Sequence, residues 1–291
     1  MYSIYFSILV LASVISVAKS VSYFGDVNLS LTYLDRFEIK NEAAGLSKPS
    51  GLALSHERNA LWTVSDNSKK VFKLGLNGEL QKDKFFKIPD LGMEGIALDP
   101  TGELLFMVKE DENEIIKVNA NTQEVAYRRR LSEMAGYDTI AKYFVDSPPN
   151  KGLEGITWNR DTGSIFVMKE GIPGLLVEVS SNLATIQSHT LLANENGFID
   201  DESVGDKLDF SDICYDQNRK QFWIVSDKGQ RVFFYDWKRN KVTQSFALGY
   251  VAKGEYKEIK KAEGVAIDPG SNRLFVASEK EARLYVFDIR E

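Results

Sequence analysis

Short apolar runs separated by turn residues recur along most of the chain. Residues 104–108 and 222–225 are apolar throughout, as expected for strands that are covered on both faces. Clusters that contain proline and glycine, such as residues 100–102 and 269–272, stand between such runs and are typical of turns. The pattern predicts an all-β protein.

Five segments of this pattern align with one another without gaps. Each has Ser or Glu in its second place and ends on an Asp or Glu sixteen residues later. Repetition of this kind is the signature of a repeat architecture. The five segments are PSGLALSHERNALWTVSD from Pro49, MEGIALDPTGELLFMVKE from Met93, LEGITWNRDTGSIFVMKE from Leu153, FSDICYDQNRKQFWIVSD from Phe210 and AEGVAIDPGSNRLFVASE from Ala262.

Each copy reads as two strands joined by a turn, with a third strand after the terminal acid and a weaker fourth strand in most copies. Four strands per copy form a propeller blade, so five copies predict a five-bladed β-propeller. A six-bladed ring is the alternative, although no further segment carries the motif. The fifth copy lacks a fourth strand, whereas residues 29–40 read as an outer strand before the first copy. We therefore expect the N-terminal strand to close the last blade and remove an exposed sheet edge.

The N-terminus has the features of an export signal. Residues 5–18 are apolar but too few to span a bilayer comfortably, and Ala18 and Ser20 supply the small residues of a cleavage site. We expect residues 1–20 to be a signal peptide, residues 21–28 a linker and residues 29–291 a single propeller domain. The protein would then be secreted or periplasmic; an uncleaved N-terminal anchor is the alternative.

Composition narrows the choice of partners. A hydrophobic content of 43% and a charged content of 27% are ordinary for a soluble domain, and we expect a monomer. The net charge of −6 argues against nucleic acid, which binds basic surfaces, and permits a cation or a basic partner. Cys214 is the one cysteine, and its apolar neighbours favour core packing over a reactive nucleophile.

Propeller geometry places the recurrent acids together. The first strand of each blade lines the channel and successive strands alternate in direction, so the start of strand one and the end of strand two share one mouth. Carboxylates gathered there would repel one another unless they bind a cation, take up protons or pair with basic groups. The acids near the start of strand one are Glu94, Glu154, Glu263 and Asp212, and the terminal acids are Asp66, Glu110, Glu170, Asp227 and Glu279.

Oxygen ligands are the chemistry that these acids offer. The terminal acids could serve only to hold neighbouring strands, with Lys109, Lys169 and Lys228 near enough in sequence to neutralise some of them. The glutamates of the three Glu-Gly pairs face one axis, and packing explains them less well than it explains the terminal acids. His56 in a turn and His189 in an outer strand are expected to lie away from the axis, so the predicted ion is a hard one, Ca²⁺ before Mg²⁺ or Mn²⁺.

The long connections between blades are expected at the acid-bearing mouth. They comprise residues 134–151, 194–207 and 249–261. Long loops over one mouth predict an entrance for a small anionic ligand or a protein partner. The alternative is that the loops vary in length without a functional role.

The chain resembles the SdiA-regulated family of exported bacterial propellers, which is related to the phytase-like and esterase-like propellers. The resemblance is carried by PSGLA at Pro49, EGIALD at Glu94, NKGLEGITW at Asn150, DFSDICYD at Asp209, and AEGVAID with LFVASE in the last copy. It implies a metal, calcium, in the channel, near the three Glu-Gly motifs and Asn150, and it implies no settled reaction. Lys280 follows Ser278-Glu279 where family members often continue with Pro-Asn.

Three functions remain open from the sequence. The favoured one is a binding module that contains calcium, and the main alternative is a metal-dependent hydrolase of phosphoesters or lactones, in which the ion would polarise an oxygen or activate water. The sequence has no G-x-S-x-G nucleophile motif, which a metal hydrolase does not need. A protein-interaction scaffold without an ion is the third.

Overall fold

The structure is a computed structural model that describes residues 20–22, 28–88, 92–145, 147–148, 150–199 and 208–291. The side chains of residues 20–22, 66 and 83 are not described. Most of the predicted signal peptide, residues 1–19, and residues 23–27 of the predicted linker lie outside the described residues. Within the described ranges, no helix is long and apolar enough to cross a membrane.

The described chain is built from strands joined by turns and short 3-10 turns. In chain order the strands are β1 (Ser20–Ser22), β2 (Ser30–Glu38), β3 (Ser50–Leu54), β4 (Ala60–Ser65), β5 (Lys70–Gly75), β6 (Leu80–Lys87), β7 (Met93–Leu98), β8 (Leu104–Lys109), β9 (Glu114–Asn119), β10 (Val125–Arg130), β11 (Leu153–Asn159), β12 (Ser164–Lys169), β13 (Gly174–Val179), β14 (Ile186–Leu192), β15 (Asp212–Asp216), β16 (Gln221–Ser226), β17 (Arg231–Asp236), β18 (Lys241–Ala247), β19 (Gly249–Ala252), β20 (Glu255–Glu258), β21 (Ala262–Asp268), β22 (Arg273–Ser278) and β23 (Arg283–Arg290).

These strands form the five-bladed β-propeller that the repeat predicts. Blades 1 to 4 are β3–β6, β7–β10, β11–β14 and β15–β18, and blade 5 consists of β21, β22, β23 and β2. The inner strands β3, β7, β11, β15 and β21 contact their neighbours all the way around the ring. The six-bladed alternative is therefore set aside for the part of the chain that the structure describes.

The N-terminal strand closes the ring as expected. Strand β2 pairs antiparallel with β23, from Ser30 opposite Arg290 to Glu38 opposite Arg283. Two additions were not anticipated: β1 adds a fifth strand at the outer edge of blade 4, and β19 and β20 form a hairpin between blades 4 and 5.

The core lies between the facing sheets of neighbouring blades. Phe106 and Val108 of blade 2, for example, pack in one cluster with Val167 and Val177 of blade 3. Each such side chain contributes about 1.5–3 kcal/mol when it is fully buried. Because a blade has a neighbour on each face, its middle strands are apolar almost throughout, which explains the pattern of the sequence.

Candidate metal site at the channel mouth

The two recurrent columns of acids lie at the same end of the blades. In blade 3 Leu153 pairs with Lys169, and in blade 2 Met93 pairs with Lys109, so the second-place glutamate and the terminal acid each directly follow a member of the same pair. The strand directions thus bring both columns to one mouth of the channel, called the acidic mouth below.

A β-bulge positions each glutamate of the Glu-Gly pairs. The pairing register shifts between Leu153 and Gly155, and equivalent shifts flank Glu94 and Glu263. A bulge leaves one residue outside the regular ladder and re-aims its side chain, which is why bulges are frequent beside functional sites. The Glu-Gly motif is therefore a local device that turns a carboxylate towards the mouth.

Three carboxylates come together at the interface of blades 2 and 3. One oxygen each from Glu110, Glu154 and Glu170 lies within 4.8 Å of the others. Glu154 is the buried member, and among the described residues its carboxylate has no hydrogen-bond or ion-pair partner. Glu110 accepts a hydrogen bond from Gly152 N at 3.4 Å. This set, called the glutamate cluster below, offers oxygen ligands at cation-binding spacing.

Burial and mutual repulsion govern the electrostatics of the acidic mouth. Burial raises the pKa of Glu154 well above its usual range, and the charges of Glu94, Glu263, Glu170 and Glu110 raise that pKa further. Burial also raises the pKa of Glu110. The arrangement favours any species that supplies positive charge.

Glu263, on the blade 5 side of the mouth, also has a raised pKa. Burial raises its pKa to about 7, against the opposing charge of Lys261 and a hydrogen bond from Ser211. Glu94 is held on the blade 2 side, where it accepts a hydrogen bond from Ser50 Oγ at 2.7 Å. The second-place residues thus share one electrostatic environment.

Glycine follows the second place in four of the five blades, and it allows the inner strands to approach closely. A Cβ on Gly95 would lie 2.4 Å from the carbonyl oxygen of Glu154, and one on Gly51 would lie 2.7 Å from that of Glu94. Neither position tolerates a side chain without movement of the neighbouring blade. The backbone that carries each glutamate is therefore set by the blade beside it.

Asp212 occupies the glycine position of blade 4, where its carboxylate reaches across the axis. Its Oδ2 accepts hydrogen bonds from Val265 N of blade 5 at 2.8 Å and from Leu52 N of blade 1 at 3.1 Å. The side chain is fully buried, and burial raises its pKa well above the usual range. Among the described residues Oδ1 has no hydrogen-bond partner. A buried carboxylate oxygen left in this state can be satisfied by a proton or a cation.

Lysines neutralise part of the mouth, but they are largely different lysines from those expected. Lys151 pairs with Glu170, and Lys261 pairs with Glu279 and lies 3.5 Å from Glu263. Lys48 lies 3.3 Å from Glu279.

The lysines that the sequence singled out have their closest partners elsewhere, although the charges of Lys169 and Lys228 still act on the terminal acids Glu170 and Asp227. Lys109 lies 2.9 Å from Glu112, and Lys169 is fully buried and donates to the carbonyl oxygens of Gly171 and Pro173. Lys228 lies 3.6 Å from Asp209, and its charge also lowers the pKa of Asp227 slightly.

The remaining predicted site residues have varied surroundings. Asp66 begins a 3-10 turn after β4, and its side chain is outside the described part. Asn150 is exposed in the loop before β11, in a left-handed conformation with φ 57°. Asp227 lies 3.4 Å from Gln230 Nε2, and burial raises its pKa. The structure does not bring Asn150 or Asp227 into the glutamate cluster.

The long loop between blades 2 and 3 is packed rather than open. Its aromatic residues Tyr137, Tyr143 and Phe144 are partly buried against the core of those blades. Residues 200–207 of the next long loop lie outside the described ranges, and the third contains the β19–β20 hairpin. The described part of the loop after blade 2 is therefore fixed against the core of blades 2 and 3.

Ring topology and a mouth lined by carboxylates define the class: a five-bladed β-propeller with an acidic channel mouth. The sequence model of the SdiA-regulated family matches residues 30–288, and the chain belongs to that family. The resemblance noted from the Glu-Gly motifs is thereby confirmed.

Solved structures share the fold at low identity. The glutaminyl cyclase of Myxococcus xanthus is 14% identical, with a TM-score of 0.60 over 90% of this chain and 97% of that one. Hydrazine synthase of Kuenenia stuttgartiensis is 12% identical (TM-score 0.46, 80% and 56% covered), and the Cps50 (Swd1) β-propeller domain of Myceliophteria thermophila is 11% identical (TM-score 0.45, 84% and 65% covered). The likeness to glutaminyl cyclase concerns the fold alone.

Proposed function

We propose that this propeller is an exported module that binds a divalent cation, calcium, at the acidic mouth and uses it to hold a ligand or partner there. The observation that carries the proposal is Glu154, a buried carboxylate without a hydrogen-bond or ion-pair partner in the described chain, with Glu110 and Glu170 at cation-binding distance. A buried carboxylate without a direct partner is costly, and a bound cation removes that cost.

Calcium suits the ligands available. All of the candidate donors are carboxylate oxygens, which hard cations prefer, and Ca²⁺ accepts irregular sets of six to eight oxygens. The glutamate cluster would supply the first ligands, while Glu94 and Glu263 add negative charge around it. The free Oδ1 of Asp212 fits the same need for positive charge near the axis.

A bound ion would also change what the mouth can recognise. Without it, the mouth repels anions; with it, the excess negative charge falls and an open coordination position can accept an anionic oxygen. The expected ligand is therefore a small anion or an acidic group on a protein. Export rests on the predicted signal peptide, and N-terminal analysis of the released protein should find a mature chain that begins at Val21.

A metal-dependent hydrolase is the second candidate, and one observation favours it. Glu263 has its pKa raised to about 7 at the same mouth, so it can exchange a proton near neutral pH as a general base must. When bound, a divalent cation polarises a phosphoryl or carbonyl oxygen. Turnover of p-nitrophenyl phosphate or of a lactone panel, lost on adding chelator, would select this function.

Calcium titration of single-site variants tests the proposal. We expect calorimetry to show saturable binding to the wild type and a weakening of roughly tenfold or more in Glu154→Gln, because one charged ligand is lost. The matched control is Glu124→Gln, which removes an exposed carboxylate from a turn of blade 2. Equal calcium affinity in all three proteins would overturn the proposal.

A further inference from the structure

A second opening lies at the end of the channel opposite the acidic mouth. The far ends of the inner strands and the turns that follow them enclose a cavity of about 180 Å³. His56, which the sequence analysis placed away from the axis, lies on its rim. This cavity, called the distal cavity below, takes no part in the proposed calcium site.

On each inner strand a small residue and a larger residue nearer the rim line the distal cavity. Beyond the small residues, Leu52, Ile96, Ile156 and Ile213 also line it. The small residues are Ala53, Ala97, Thr157, Cys214 and Ala266. The larger residues are Leu54, Leu98, Trp158, Tyr215 and Ile267.

The volume of the distal cavity and the side chains that line it indicate the size and chemistry of the ligand that it could hold. An apolar cavity of about 150 Å³ accommodates a benzene ring, so the distal cavity suits a body of that size. Trp158 supplies an aromatic wall, and its indole Nε1 is buried without a hydrogen-bond partner among the described residues. Pockets of this kind bind through apolar contact and use a few polar groups for orientation.

The rim is cationic. No Asp or Glu lines the distal cavity within the described chain, whereas Arg58 and Arg160 both do. Arg58 is already paired, because its Nε donates to Asp268 Oδ1 at 2.7 Å. Arg160 has no carboxylate within ion-pair distance among the described residues, and its electrostatic neighbour Asp99 is occupied by Thr101 and by backbone N–H groups. Arg160, which is exposed, is thus the rim arginine that forms no ion pair in the described chain.

We propose that the distal cavity binds a small monocarboxylate whose apolar body is the size of one ring, with the carboxylate held by Arg160. A guanidinium recognises a carboxylate through two parallel hydrogen bonds, and the aliphatic and aromatic side chains of the lining can contact an uncharged body. Asp212, bonded across the axis to blades 1 and 5, stands between this cavity and the acidic mouth. The two sites should therefore bind their ligands independently.

Benzoate is the probe that tests this site, with binding followed by calorimetry and by tryptophan fluorescence. We expect saturable binding of benzoate, much weaker binding of benzamide and none of benzylamine. Arg160→Gln should weaken benzoate binding by roughly tenfold or more, since it removes the charged partner of the carboxylate. Arg290→Gln, which removes an arginine that is more than half exposed on β23, is the matched control and should bind like the wild type.

Two kinds of result would overturn the proposal, and one further comparison separates it from the calcium site. No saturation at about 10 mM benzoate would mean that the distal cavity holds no carboxylate site of useful affinity. Equal affinity in Arg160→Gln, or equal affinity for benzylamine, would show that the rim does not select an anion. Benzoate binding that survives Glu154→Gln but not Arg160→Gln separates this site from the calcium site.

Discussion

At the scale of single residues, the central feature is a buried carboxylate, that of Glu154, with no hydrogen-bond or ion-pair partner in the described chain. Glu154 reaches this state because a β-bulge turns it towards the mouth and because the backbone beside it is held by the close approach of Gly95. The constant spacing of sixteen residues between the second-place residues and the terminal acids was enough to predict an acidic mouth. It could not show that oxygens of Glu110 and Glu170 lie within 4.8 Å of a Glu154 oxygen, because that depends on the bulge and on how blades 2 and 3 meet.

The raised pKa of Glu263 predicts how stability varies with pH. The ordinary value is 4.5 and the folded value is about 7, so between these limits the folded state holds a proton that the unfolded state has lost. Stability is therefore greatest below about pH 4.5 for this group and falls as pH rises through about 7. The groups that interact with Glu263 are Lys261, Ser211, Asp227, Asp209, Asp212 and Glu154.

Thermal melts in chelator between about pH 5 and 8 measure this effect. We expect the melting temperature to fall across the range, and Glu263→Gln to flatten the fall. A wild-type profile that rises with pH would contradict the electrostatic account of the mouth.

At the scale of elements, the inner strands matter most, because their glycines hold the backbone of one blade against the next. We expect Gly95→Ala to destabilise the protein by about 2 kcal/mol or more, since the new Cβ would meet the Glu154 carbonyl oxygen at 2.4 Å. Calcium affinity should fall as well, because the carbonyl that must move belongs to the proposed ligand.

Gly171→Ala is the control for this prediction. A Cβ there would meet its nearest neighbour, Leu208 O, at 3.4 Å, which is ordinary contact. Urea unfolding should distinguish the two variants clearly. Equal stability of Gly95→Ala and Gly171→Ala would mean that the close approach of the inner strands is not what fixes the mouth.

The third place of the repeat, where four copies have glycine, shows where sequence reasoning could have gone further. Aligning the copies places Asp212 opposite Gly51, Gly95, Gly155 and Gly264, so a side chain in that position has to enter the space that four glycines leave. The alignment alone marks Asp212 as unusual. The identity of its partners, Leu52 N and Val265 N, comes from the curvature of the ring and could not be predicted from the sequence.

At the scale of the whole molecule, the ring is closed by pairing between the two ends of the described propeller. Apolar runs, turn clusters and five copies of one motif were sufficient to predict the blades and the role of β2, because each blade must cover both faces and no edge is left at the seam. The distal cavity escaped prediction, since it is formed by residues that are ordinary one by one.

Two leucines of β2 test this closure. Leu31 is 1% exposed and packs in the core between blades 4 and 5, whereas Leu34 lies at a register shift and is 41% exposed. We expect Leu31→Asp to cost about 3 kcal/mol or more of unfolding free energy, because it buries an unpaired charge and loses apolar packing. Leu34→Asp should change it by about 0.5 kcal/mol or less, as for most surface substitutions. Similar losses in both would argue against the closing strand.

The most direct test of the calcium proposal is an anomalous difference map from crystals of the protein grown with calcium. We predict one peak at the acidic mouth, within coordinating distance of a Glu154 oxygen and of oxygens from Glu110 or Glu170. A mouth without a peak, with Lys151 and Lys261 filling the space between the carboxylates, would contradict the account.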